Sequence, residues 1–462
     1  MKSLLLLPAL FLSAQDAKVS FEDKLLATIP DDVSYKSVVF SRNGLAVAYR
    51  GLKNGKFFVT LNNQKGPDYK TVDDHILMTP DGRCAYRGFN GQWQIMFNGA
   101  AVGPPMQMVG KPVLSPDGKK IAFECSRGTG GANDASAWTV FVGGQKLGGE
   151  YAASGPPYFS ADGSVVAHTV RVGRAGTAQR AFYTTHHMVV AGKVGPECWG
   201  MSSPVFAPTG NRMAYQMCTD PTDKASWQMV VDGKPGQTFM QLGMPVWSPD
   251  GKNYAYTANK GRGKWVMVNN GTPSEEFSLI GDPVWGPDSK TLAFRVTKGQ
   301  DSFIMMGDKP LEPFPYLGSE PAFTPDGLQV AYAAKSGQKW MVVAGDKKGQ
   351  SDYDLVENLT WSPDGKRICY RAMWKFKWII VVDDGKNEMF DAIGIPTWSP
   401  DSTKTAYAGQ KDGKWYMVVN YRRVEAFDDI LTPAHWSPDG KKVAFGARKG
   451  PDLVWRVIVA QD

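Results

Sequence analysis

Arg171, Arg174 and Arg180 stand close together in a stretch, residues 163–196, that holds no Asp or Glu over 34 positions. Lys193, His168, His186 and His187 share that stretch, whereas most of the chain mixes both signs. Guanidinium groups gathered on one face suit carboxylate or phosphate oxygens, which each can meet with two parallel N–H donors. Two neighbouring stretches are lengthened in the same way, residues 126–134 after a strand-like run and residues 219–224. Arg171, Arg174, Arg180, Arg127 and Lys224 are therefore the candidate ligand-contacting set, and the chemistry expected of them is capture of an anionic partner. The competing reading is a solvated surface of chance composition.

Bond-making chemistry finds less support. His186 and His187 are adjacent in a strand-like run, so they point to opposite faces and do not easily chelate one ion. Five His and no matching carboxylate cluster predict no metal and no cofactor. Gly128-Thr-Gly-Gly-Ala132 opens no helix and fails as a phosphate loop. Asp383-Asp-Gly-Lys-Asn-Glu388 is similar to a calcium loop, but its place in the chain makes it a hairpin turn. No nucleophilic serine motif appears. The five cysteines, Cys84, Cys125, Cys198, Cys218 and Cys369, show no Cys-x-x-Cys pair. Cys84 and Cys369 fall in apolar strands as small core residues. Cys198 and Cys218 lie close together in an irregular stretch, and an exported chain could bridge them.

The elements that position these residues come from one repeated phrase. An apolar or aromatic residue, Ser-Pro-Asp-Gly, and a basic stretch ending in Ala-aromatic occur eleven times, most clearly at Trp247–Gly251, Trp361–Gly365 and Trp436–Gly440. From Asp250 onward the aspartates fall at 250, 288, 326, 364, 401 and 439, a period of 38 with one slip of one. Earlier intervals stretch to 45, 47 and 41, where the candidate arginines lie. A fixed period in this range marks a solenoid, propeller or array.

Residues 361–398 make a clean unit. Trp361-Ser-Pro-Asp-Gly365 ends one strand and turns, because Pro presets its backbone angle, Asp bonds locally and Gly accepts a positive dihedral. Lys366–Ala372 reads as a second strand, Trp378–Val382 as a third closed by an Asp-Gly hairpin, and Glu388–Ile393 as a fourth. Four short strands and no amphipathic helix describe one propeller blade. Thirteen of the 15 Trp occupy two places in the period: eight open the third strand and five end the first. Recurrent large rings suit packing between neighbouring sheets, whose separation is about 10 Å. Pro112, Pro157, Pro204, Pro245, Pro283, Pro321 and Pro396 open first strands, where a missing N–H is tolerated.

The fold expected is thus all-β, a β-propeller of eleven four-stranded repeats. Propellers usually have about four to eight blades, so one ring of eleven and two tandem rings of five plus six are both on the table. The tight third-to-fourth turns leave no linker between rings, which points to one ring closed by residues 24–29 beside Val454–Val459. Two rings would seat that segment near Trp227–Val231 instead. Residues 1–17 have the layout of a secretory signal peptide, with one early cation, a short apolar run and small residues at the end. Residues 18–462 form the repeat domain, and no later segment is apolar enough to span a bilayer.

The Trp/Phe-Ser-Pro-Asp-Gly-Lys-x-x-Ala-Tyr/Phe pattern resembles the TolB-like, or WD40-like, β-propeller repeats of bacterial envelope proteins, over nearly the whole mature chain. The copy number exceeds the six-bladed propeller of TolB itself, and there is no room for that protein's separate N-terminal domain. The resemblance implies periplasmic or extracellular location and partner binding, and it transfers no catalytic residue. Similar repeats form the propeller of prolyl-oligopeptidase-like enzymes, but no hydrolase domain follows. The expectation is an exported, non-catalytic scaffold that binds a protein, peptide or glycan. The alternative is a propeller enzyme, a polysaccharide lyase, glycosidase or peptidase relative, with its site at the channel face. A net charge of +7 spread along the chain does not imply nucleic acid.

Overall fold

The computed structural model describes residues 19–128, 137–177, 180–223, 226–318, 320–350 and 352–460. Every regular element among them is a β-strand, and the strands form eleven small antiparallel sheets in chain order. The fold is an eleven-bladed β-propeller. Contacts divide the chain into two compact units, Met106–Thr291, and Ala17–Pro105 with Leu292–Asp462. The expected signal segment lies outside the described residues.

Each blade runs outward as a meander of four positions. In blade 6 the innermost strand is split into Gln241–Leu242 and Val246–Trp247, both paired with Tyr254–Gly261. Pro245 suits the split, since it has no N–H to give the ladder, but is not required for it: in blade 2 the inner strand divides into Thr71–Val72 and Leu77–Met78 with no proline between them. Blade 9 lacks that proline and keeps one inner strand, Leu355–Trp361, with a bulge at Asn358, whose φ is +52°.

One boundary differs from the sequence reading. The fourth strand of blade 9 is Gly385–Lys386, extended by a bridge from Phe390 to Trp378. Ala392–Ile393 already belongs to the inner strand of blade 10, paired with Gly409 and Gln410. Strand-forming residues on both sides of Asp391 hide the point where the chain leaves one sheet for the next.

The two tryptophan positions tie blade to blade. Within Met106–Thr291, the indole N–H groups of Trp247 and Trp285 donate to the carbonyls of Val205 and Val246, both at 3.0 Å. Within the other unit, Trp361 donates to Ala322 at 2.9 Å and Trp398 to Thr360 at 3.2 Å. Each acceptor lies on the inner strand of the preceding blade. A second lacing runs from the strand outside it: the Arg295 guanidinium donates to the carbonyls of Leu317 and Gly318, and Gln216 to those of Leu242 and Gly243. The gap in the split inner strand thereby leaves carbonyls for the previous blade to use.

The turns pack in the same sense. Ser248 Oγ donates to the Asp250 carboxylate at 2.6 Å, and that carboxylate accepts the Lys252 N–H at 3.0 Å. Two copies carry Ser where the others have Gly. Ser289 and Ser402 keep the positive φ, +59° and +66°, and each hydroxyl accepts the Asp N–H of the preceding turn, Asp250 or Asp364, at 3.0 Å. A bond to the neighbouring blade offsets the strain of a side chain in the left-handed region.

Blade 11 is completed from the other end of the chain. Lys24–Thr28 pairs antiparallel with Asp452–Val459, Lys24 opposite Trp455 and Thr28 opposite Asp452. This is the pairing that one ring of eleven requires, set along the first half of the strand and not over its last residues. Trp227–Val231 has its own partners on both sides, Met213–Cys218 and Lys234–Phe239. Trp455, fully buried, donates its indole N–H to Ser20 at 2.8 Å. Arg456 bridges Asp23 at 3.0 Å and Glu425 at 2.9 Å at the mouth of a cavity of about 300 Å³ beside this seam.

Candidate functional site

The basic stretch of blade 4 builds a ribbon. Val166–Thr177 and Arg180–Val190 are 12 and 11 residues long, whereas the corresponding strands of blade 5, Met213–Cys218 and Trp227–Val231, have 6 and 5. The added residues 171–180 therefore form strand up to the tip of the ribbon. Val170-Arg-Val172 and Phe182-Tyr-Thr-Thr185 are strand formers, and Gly173 between them is kept within the strand. The added residues extend both strands in one register.

Its neighbours stop short. The inner strand Ala153–Ser154 ends its pairing opposite Arg171, and the outer strand Lys193–Cys198 ends opposite His186. Beyond those points Val172 to Thr177 and Arg180 to Thr185 pair only with each other among the described residues. Six residues at about 3.3 Å each carry the ribbon roughly 20 Å past its blade.

The ribbon brings Arg171, Arg174 and Arg180 onto one element but not onto one face: position 180, opposite 177, alternates with 171, whereas 174 falls on the other face. Arg171 is exposed and lies opposite His186; Arg174 lies opposite Tyr183 and Arg180 opposite Thr177 in the backbone pairing. Burial, then the nearby Arg171 and His187, lower the His186 pKa, which favours its neutral form. Arg127 sits exposed just past Ile121–Ser126, in blade 3, where its charge helps hold the Glu150 carboxyl down, after the closer Lys146. Lys224 lies outside the described residues.

The remaining histidines of this blade are interior. His187 is buried, its ring nitrogens within 3.0 Å of Thr185 Oγ1 and the Gly195 carbonyl. His168 is fully buried beside Ser154, Nδ1 to Oγ 3.0 Å, and burial pushes its pKa down to about 4. A Ser–His contact invites a nucleophilic reading, but an imidazole of that pKa is a poor base, and among the described residues no hydrogen-bond partner meets its Nε2. The pair packs the blade. Among the described residues no three His, Cys, Asp or Glu are grouped to hold a metal ion.

No disulfide joins Cys198 to Cys218. Both thiols are buried and free: Cys198 Sγ lies 3.4 Å from the His186 carbonyl and 3.3 Å from that of Gly200, while Cys218 Sγ contacts Ser226 Oγ at 3.2 Å. Gly200, not Cys198, is the residue opposite Cys218, so the two side chains stem from different sheets. Closeness in sequence did not reveal this register.

Another exposed feature escaped the sequence reading. Lys375 and Phe376 form a turn with φ of +52° and +61°, and Phe376 is 91% exposed. The corresponding turns Asn54-Gly55, Arg262-Gly263 and Asp412-Gly413 have the same pair of angles with Gly second. Aligning the repeats by these turns would have singled out Phe376. No helix of the structure is long and apolar enough to cross a membrane among the described residues.

No family model matches the chain, and no curated protein matches it. Among solved structures it is similar to a crystal structure of TolB from Acinetobacter baumannii, with 16% identity and a TM-score of 0.27, covering 62% of this chain and 79% of that one. It is also similar to a eukaryotic initiation factor, at 13% identity and a TM-score of 0.41 over 80% of this chain and 92% of that one. A third is the β-propeller domain of the Trilobed protease from Pyrococcus furiosus, at 14% identity and a TM-score of 0.30 over 57% of this chain and 97% of that one.

Proposed function

We propose that the protein is an exported, non-catalytic β-propeller scaffold of the cell envelope whose blade-4 ribbon holds an anionic partner, a protein, peptide or glycan. One observation carries the reading: the blade-4 hairpin, twice as long as its blade-5 counterpart, lies wholly within a 34-residue stretch without a carboxylate. A rigid sheet that projects a cationic ribbon presents a preordered surface, which lowers the entropy lost on binding. Arg contacts with carboxylate, sulfate or phosphate oxygens supply the attraction. Export rests on the layout of residues 1–17.

The test is a pull-down from envelope extract with the wild type and with Arg171→Ala/Arg174→Ala/Arg180→Ala. Arg171 is exposed, and substitutions of exposed residues rarely shift stability by more than about 0.5 kcal/mol; thermal melting of the variant checks that the fold survives. Capture should fade between 0.1 and 1 M salt, as the Debye length shrinks from about 10 Å to about 3 Å. A partner list unchanged by the triple substitution overturns the reading.

A further inference from the structure

The blade-4 ribbon carries two unpaired strand edges along with its charge. Residues 172–177 and 180–185 bond to each other and to no third strand among the described residues. In an antiparallel pair alternate residues turn their N–H and C=O groups away from the partner, so each edge offers roughly three donors and three acceptors outward. Such a row is a template for another strand.

What can dock there is decided by charge. A second copy of the same ribbon adds another Arg171, Arg174 and Arg180, in a segment with no acid to compensate. Self-pairing is thereby disfavoured, in the way that charged residues blunt sheet edges. The same charges favour a strand rich in Asp or Glu. A folded sugar chain or a phosphate offers anions but no matching ladder of amides.

We propose that a free edge of this ribbon takes an acidic, extended polypeptide segment as an additional β-strand. This deepens the preceding reading and rests on it, since it names the partner class and how its backbone is held. Main-chain bonds give the affinity, and the alternating carboxylates give the selection.

The experiment uses the full chain and labelled peptides: acetyl-(Glu-Thr)4-amide, its lysine counterpart (Lys-Thr)4, and (Glu-Thr)4 with every backbone amide N-methylated, so that neither edge of the peptide keeps its donors. Fluorescence anisotropy should show salt-sensitive binding of the acidic peptide and none of the lysine peptide. Removing two or more backbone donors by N-methylation should weaken binding at least about tenfold, since each net hydrogen bond is worth close to a factor of five. Amide exchange of residues 172–177 or 180–185 should slow when the acidic peptide is bound.

Equal binding of the N-methylated peptide, with the triple-arginine variant still defective, overturns strand addition and leaves the anionic-partner reading standing. Loss of pull-down dependence on the arginines overturns both. No binding of (Glu-Thr)4 at 1 mM (about three orders of magnitude above a micromolar contact) while the pull-down still depends on the arginines overturns strand addition alone, and points to a glycan or another polyanion.

Discussion

Trp398 donates its indole N–H to the backbone carbonyl of Thr360, 3.2 Å away and one repeat earlier. The ring itself is buried between blades 9 and 10, packed with Ile380, Phe390 and Tyr407. One side chain thus fills the space between two sheets and fixes their register.

Replacing that donor separates the two roles. Trp398→Phe keeps an aromatic ring and leaves the Thr360 carbonyl without its partner. A lost hydrogen bond and an unsatisfied acceptor together cost about 1–3 kcal/mol. Urea unfolding should show the midpoint fall with little change in slope. An unchanged midpoint would mean that packing alone holds the blades.

The turn at Phe376 should respond in the opposite direction. A non-glycine residue in the left-handed region costs about 1–3 kcal/mol, and a ring that is 91% exposed regains little by burial. Phe376→Gly should therefore be neutral or raise stability by up to about 1 kcal/mol, after allowing for the entropy glycine adds to the unfolded chain. Thermal melting of the two proteins decides it, and a clear loss of stability would contradict the assignment of strain.

Acid should act through the repeated turns. Hydrogen bonds from Ser362 and from the Lys366 N–H hold the Asp364 carboxyl below its ordinary value, and Ser437 with Lys441 does the same for Asp439. A carboxyl with a lowered folded pKa binds its proton less readily in the native state. Its stabilisation is complete above the unfolded value, about 3.9, and disappears as pH falls through the folded value. The difference in denaturation midpoint between wild type and Ser362→Ala should be constant from pH 7 to 5 and shrink below about pH 4. A difference that grows in acid would reverse the sign of this account.

Much of the fold was legible because its signals are local and repeated. Pro and Gly punctuate the turns, and tryptophans recur at fixed places. Lys24–Thr28 could be assigned to the last blade because that blade lacked a strand. The site was less legible. Charge picks out the arginines as candidates, but whether 171–180 is loop or strand depends on register between two halves of a hairpin, which composition does not encode. Arg295 and Gln216 look like ordinary surface residues in a strand, and only the neighbouring blade's free carbonyls give them partners. Cys198 and Cys218 misled for the same reason, since twenty residues of separation say nothing about which sheet each thiol joins.

Those thiols allow a further test. All five cysteines are buried and free, and burial raises Cys84 and Cys198 to about 11 and Cys125 to about 12. They should react with a thiol reagent only on unfolding, and dithiothreitol should leave the melting temperature unchanged. A reductant-dependent drop would indicate a bridge.

The seam between Lys24–Thr28 and Asp452–Val459 also sets a timetable. The Thr28 hydroxyl bonds to Asp452, 424 residues further along the chain. At about 5–20 residues per second, synthesis of the intervening sequence takes roughly 20 to 85 seconds. Throughout that time the first strand waits without the sheet it belongs to, and blade 11 does not yet exist. Individual hairpins can form as they emerge, since their contacts are local. The last pairing closes a loop of almost the whole chain and can occur only when the C-terminal residues have left the ribosome. Until then the nascent protein is an open stack with one bare edge, the form most exposed to chaperones, proteases and mispairing with its neighbours.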